Sequence, residues 1–147
     1  SYTAPAAPLA AGRPAPDFVA ARLEGGDPYR LAASRGKPVL LVFYKPTGDL
    51  ARPSILAAET LEKRYAGKAD VFAVAVSSDV DAAKSHRTAV GTKVPGLDGA
   101  GLRERFGVDS YPRFVIVDKD GNLAWQFEGY GNEVPGLTAF ELDRLTK

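Results

Sequence analysis

Residues Val39-Leu40-Leu41-Val42-Phe43-Tyr44 form a continuous β-branched, leucine-rich and aromatic run. A stretch with no hydrophilic face to offer solvent belongs in the middle of a sheet covered on both sides. Two further runs have the same character, Val71-Phe72-Ala73-Val74-Ala75-Val76 and Arg113-Phe114-Val115-Ile116-Val117-Asp118. Between the first two, Pro46-Thr47-Gly48-Asp49 breaks the strand. From about Leu50, Ile55, Ala58, Leu61 and Tyr65 then recur at helical spacing up to Gly67, a natural C-terminal stop. Strand, helix and strand in this order predict a parallel pair joined by a right-handed crossover. A chain of 147 residues holds one domain of this kind.

The remaining elements follow from local pattern. Asp17 to Leu23 alternates as an edge strand does, and Gly25-Gly26-Asp27 turns it back into a short return near Tyr29-Arg30-Leu31, a small hairpin. Ser77-Ser78-Asp79 offers capping side chains to a helix over Val80 to Val90. Lys93 to Asp98 reads as a connection and Ala100 to Phe106 as a short helix ended by Gly107. Lys119-Asp120-Gly121-Asn122 turns the third strong strand into Leu123 to Glu128, an antiparallel hairpin. After a loop from Gly129 to Gly136, Leu137, Phe140 and Leu145 among charged residues predict an amphipathic helix over one sheet face. Ser1 to Pro16, rich in Ala and Pro, reads as an extended, weakly structured lead-in.

Composition removes most chemistries. The chain has no cysteine, so disulfides, thiolate metal sites and cysteine nucleophiles are excluded together. Its only histidine, His86, sits among Lys84, Ser85 and Arg87, where a solvated imidazole is expected, and it has no evident catalytic partner. Thr47 and Ser54 are unactivated hydroxyls without a base beside them. Nineteen Lys and Arg against eighteen Asp and Glu leave a formal charge of +1, too little basic surplus to drive binding to nucleic acid. No stretch approaches the roughly 18 apolar residues of a membrane helix. The absence of methionine implies a processed N-terminus.

This order of elements resembles the thioredoxin fold, and residue motifs narrow the resemblance to its redoxin branch. Pro14-Ala15-Pro16-Asp17-Phe18 is similar to the opening motif of peroxiredoxin-related and membrane-anchored cytochrome-maturation thioredoxins. Gly36-Lys37-Pro38 leading into Val39 to Tyr44 looks like their first core strand. Phe106-Gly107-Val108-Asp109-Ser110-Tyr111-Pro112, with Phe114 to Asp118 and Asp120-Gly121, looks like their signature around a proline turn. The resemblance implies an α/β fold with a central mixed sheet flanked by helices and an extra N-terminal β-hairpin, spanning residues 14–147 behind a lead-in of residues 1–13. It also implies a cis Tyr111–Pro112 bond.

The same resemblance places the family's Cys-x-x-Cys at Gly48-Asp49-Leu50-Ala51, where both cysteine positions are empty. Gly48 lacks the attacking sulfur, Ala51 lacks the resolving one, and Val42 stands where thioredoxin keeps a buried Asp. A peroxiredoxin reaction fails for the same want of sulfur. What the resemblance leaves is a groove between the Gly48 turn and the Tyr111-Pro112 loop, with Thr47 and Asp49 beside it, in which the family holds extended polypeptide. Two functions follow: a redox-inactive polypeptide-binding or scaffolding module, or a thiol-disulfide oxidoreductase whose motif cysteines were replaced at Gly48 and Ala51. The family's habitat implies an extracytoplasmic setting, periplasmic or secreted.

Lys45 and Arg52 flank the empty motif as possible anion contacts at a helix N-terminus, where Asp49 is a rival occupant. Gly96 to Gly101 lacks the spacing of a phosphate loop, and Asp118 to Asn122 lacks the glutamate of a calcium loop, so both read as connections. Trp125 reads as sheet packing. No metal or cofactor is expected.

Overall fold

The computed structural model describes residues 9–147; the first eight residues of the expected lead-in lie outside the described residues. Seven strands and three α-helices follow in order: β1 (Val19–Ala20), β2 (Tyr29–Arg30), β3 (Val39–Tyr44), α1 (Ala51–Arg64), β4 (Asp70–Ala75), α2 (Val80–Val90), β5 (Gly96–Asp98), β6 (Arg113–Val117), β7 (Leu123–Glu128) and α3 (Val134–Leu145). β1 and β2 pair antiparallel as a separate hairpin, and the other five form one mixed sheet in the order β5-β4-β3-β6-β7. β3 is central and buried at all six positions. It runs parallel to β4 and antiparallel to β6, and β4 runs parallel to β5.

Alternation along β3 divides the core in two. Leu40, Val42 and Tyr44 face a cluster built from Ile55, Ala58 and Leu61 of α1, Ala83 of α2, and Val134, Ala139 and Leu142 of α3. Val39, Leu41 and Phe43 face the opposite cluster, covered by Phe18, Tyr29 and Leu31 of the hairpin region and by Leu102, Phe106 and Val108. Tyr65 pins α1 to α3, its hydroxyl donating to the Ala139 carbonyl at 2.9 Å and to the Asp143 carboxylate. α2 is set as its sequence predicts: the Asp79 side chain accepts from the Ala82 N–H, and Gly91 closes the helix at φ +76°.

Several expectations need correction. The segment read as a connection contains β5, a three-residue strand whose Leu97 is fully buried. The expected helix over Ala100 to Phe106 is a series of overlapping turns, in which Leu102 N–H bonds the Gly99 carbonyl and Phe106 N–H the Leu102 carbonyl. The expected edge strand from Asp17 to Leu23 divides between two partners. Val19 and Ala20 pair with β2, whereas Arg22 bridges Leu97, and Leu23 N–H donates to the Gly96 carbonyl. A single 3-10 turn, Leu31–Ser34, carries the hairpin into β3 and was not foreseen.

Leu9 to Ala15 lie along the start of β7. Gly12 N–H donates to the Leu123 carbonyl at 2.7 Å, Leu123 N–H to the Arg13 carbonyl at 2.8 Å, and the Gln126 amide to the Leu9 carbonyl. His86 is half-buried rather than solvated, with its ring 6.1 Å from that of Tyr44 and its Nδ1 sealed without a partner. Trp125 stacks on Phe127 at 5.9 Å against the helix-side core.

Two tests follow from this packing. Leu97→Ala removes a fully buried side chain from the shortest strand of the main sheet, and a loss of about 2–5 kcal/mol in urea unfolding is expected; a loss below about 1 kcal/mol contradicts the burial of β5 in the core. Burial pushes the phenols of Tyr29, Tyr44 and Tyr65 up to about 12, with the hydrogen bond to Asp143 adding to the effect at Tyr65. The folded chain thus keeps protons that the unfolded chain releases near pH ~10, so stability is complete below that pH and falls as pH rises toward ~12. Urea midpoints across this window should fall, and fall less steeply in Tyr65→Phe.

Candidate functional site

The end of β3 and the start of α1 build the first wall. Pro46 interrupts the ladder, and the chain tightens into a turn in which Gly48 N–H donates to the Lys45 carbonyl at 2.9 Å. Ala51 N–H then donates to the Gly48 carbonyl at 3.2 Å, and α1 begins. Pro53 is tolerated as the third helical residue because its missing N–H belongs to the unpaired first turn. The N-cap, Leu50, offers no side-chain acceptor, so Asp49 does not cap the helix. Ser54, fully buried, donates its hydroxyl back to the Leu50 carbonyl at 2.6 Å and tightens the same turn.

The second wall is the loop before β6, where the Tyr111–Pro112 bond is cis. The loop is held from behind by Arg113, which is only 2% exposed. Its guanidinium reaches Glu128 at 2.9 Å, Asp109 at 3.3 Å and Gln126 at 3.4 Å, while Nε is sealed without a partner. Ser110 donates to the same Glu128 carboxylate at 2.6 Å. That hydrogen bond first, and Arg113 second, hold the Glu128 carboxyl below its ordinary range. Arg113 was read only as the first residue of a strand; nothing local in the sequence marks it as buried.

Between these walls Lys45, Gly48, Asp49, Ala51, Tyr111 and Pro112 line one cavity of about 290 Å³, together with Ser54, considered from the sequence only as a hydroxyl nucleophile, and with Tyr44 and Leu50, which the sequence did not single out as site residues. Thr47 opens instead onto a neighbouring cavity of about 530 Å³. Lys45 and Tyr111 line both, and the Lys45 ammonium sits 5.0 Å from the Tyr111 ring centroid. The two spaces have this pair in common. Arg52 lines neither cavity and is exposed on the first turn of α1.

Thiol chemistry is absent from the motif. Gly48 is exposed and Ala51 is buried, without a nucleophile at either place. Gly48 does not have a left-handed φ, so its backbone conformation is open to other residues, but a Cβ built on it meets the Lys45 carbonyl oxygen at 3.3 Å, a tight contact that requires this carbonyl to give by a few tenths of an ångström. Among the described residues no group of three or more His, Asp or Glu could hold a metal ion, and no helix is long and apolar enough to cross a membrane.

Restoring the sulfurs tests this placement. Gly48→Cys with Ala51→Cys should give two thiols that oxidise to one intramolecular disulfide in a glutathione buffer, the thiol at 48 titrating below the free value of about 8.5. Thiols that stay reduced, or a thiol at 48 titrating at or above that value, would place the turn elsewhere than at the helix start.

Comparison with known proteins agrees with the geometry. The redoxin family model matches residues 10–140. Thioredoxin-like protein YneN of Bacillus subtilis is 35% identical over 114 residues, 75% of this chain. The match spans 66% of that relative, a little under two thirds of its length. A structure described as a candidate thiol:disulfide interchange protein DsbE of Chlorobium tepidum superposes with a TM-score of 0.86 at 20% identity, covering 95% of this chain and 99% of its own. The exposed lipoprotein thioredoxin of Streptococcus pneumoniae superposes with a TM-score of 0.75 at 25% identity, covering 88% of this chain and 100% of its own. The chain has the thioredoxin fold and, with no cysteine in it, belongs to the redoxin family.

Proposed function

We propose that this redoxin binds an extended segment of a partner polypeptide in the groove between the Gly48 turn and the Tyr111–Pro112 loop, and exchanges no disulfide with it. The observation that carries this reading is the pairing of a kept cavity with a lost reagent. Lys45, Gly48, Asp49, Tyr111 and Pro112 still line one space, and the loop behind it is braced by a buried arginine, yet the chain has no sulfur. Strand-like docking draws affinity from main-chain hydrogen bonds, which need backbone and not thiols. An extracytoplasmic setting, periplasmic or secreted, belongs to the same proposal, and the description of the pneumococcal relative as an exposed lipoprotein supports it. The second reading, an oxidoreductase whose motif cysteines were replaced at Gly48 and Ala51, draws support from the backbone at Gly48, whose φ is not left-handed and therefore does not require glycine.

Carbamidomethylated insulin B chain, an unfolded polypeptide with blocked thiols, is a suitable probe. Titrated into nitrogen-15-labelled protein, it should shift the amide signals of Gly48, Asp49 and Tyr111, and Tyr111→Ala should weaken binding by about tenfold. Insulin reduction should stay at the buffer rate, since that reaction passes through a thiolate. Shifts confined to another face, or turnover above buffer, would defeat the reading.

A further inference from the structure

The larger cavity lies where three loops meet. β3, β4 and β5 run parallel, so the residues that follow each of them emerge at one edge of the sheet. Lys45 and Thr47 follow β3, Ser77 and Ser78 follow β4, and Arg103 lies in the turns that follow β5; all five line the same space of about 530 Å³. Crevices beyond the carboxyl ends of parallel strands are where open α/β sheets place their ligands. This one shares the Lys45–Tyr111 pair with the proposed polypeptide groove.

Its charge has one sign once internal pairs are removed. Asp109 is the single carboxylate in the lining, and it already faces the buried Arg113 guanidinium at 3.3 Å. Arg103 has only Glu104 beside it, at 3.6 Å, a side chain 83% exposed and therefore a weak competitor. Lys45 has an aromatic face and no carboxylate partner among the described residues. Lys45 and Arg103 thus line one space with Thr47 and Ser78, while the Ser77 hydroxyl is engaged by the backbone of Asp79. The Tyr111 hydroxyl is sealed without a hydrogen-bond partner.

Resting on the polypeptide-binding reading above, we infer that this second cavity is a subsite for an acidic side chain of the bound polypeptide, its carboxylate held between Lys45 and Arg103. The main-chain groove sets that a strand binds; this subsite sets which strand. The test compares two unlabelled peptides, identical except for a central Glu or Gln, by calorimetry against the intact chain, with carbamidomethylated insulin B chain as reference. The Glu peptide should bind about tenfold more tightly, and the preference should shrink as salt is raised, as screening requires. Arg103→Gln should bring the Glu-to-Gln ratio toward one, and Arg103→Lys should keep most of it. Equal affinities for the two peptides while the insulin chain still binds would sink the acidic subsite and leave the groove standing. An undiminished preference in Arg103→Gln would move it away from this cavity. If neither the peptides nor the insulin chain bind, the groove reading falls and the subsite with it.

Discussion

The burial of β3 on every side sets the rest of the molecule. Its six residues are covered on both faces and its backbone is paired with β4 on one flank and β6 on the other. A strand in that position cannot slip by one residue without exchanging Leu40, Val42 and Tyr44 for Leu41 and Phe43 across two different cores. Register is therefore fixed by packing, and the place where β3 ends is fixed with it. Pro46 and the Gly48 turn follow at once, so the groove inherits its position from the hydrophobic sheet rather than from any polar contact of its own.

That inheritance explains how the site keeps its shape without its reagent. The sulfur chemistry of a redoxin needs a nucleophile on a backbone that is already held in place. In this chain the backbone is held by the Lys45 and Gly48 carbonyls, by Ser54 beneath the helix start, and by Arg113 behind the proline loop. None of these groups depends on a thiol. The want of both cysteines removes the thiol reaction and leaves these supports untouched, which separates the shape of the site from its chemistry in physical terms.

How much could be read from residues alone differed by element. β3, β4, β6, both long central helices and the closing helix were legible because each carries a period or an unbroken apolar run. β5 was not, because three residues beginning with glycine have no pattern, and their strand character comes from pairing with Ala73 to Ala75 far back in the chain. The turns over residues 99–107 were mistaken for a helix because Leu102 and Phe106 keep helical spacing while the hydrogen bonds do not repeat. At the candidate site, Gly48, Ala51, Tyr111 and Pro112 were named through their motif, and they line one cavity. That Arg103, Ser77 and Ser78 line the neighbouring cavity was not legible, because they meet only after three separate strands have been aligned. The one available clue was positional, since each lies just past a strand end.

The stretch from Leu9 to Leu23 acts as a clasp on the sheet. Near one end it bonds the start of β7, and near the other it bridges β5, so a single short stretch touches both open edges of a five-stranded sheet. Open edges present unpaired N–H and C=O groups to any extended chain that passes. β5 and the start of β7 are thus occupied by the chain's own backbone and closed to a foreign strand. The N-terminal segment that contributes no residue to the groove thus acts as the molecule's guard against polymerising through its own sheet.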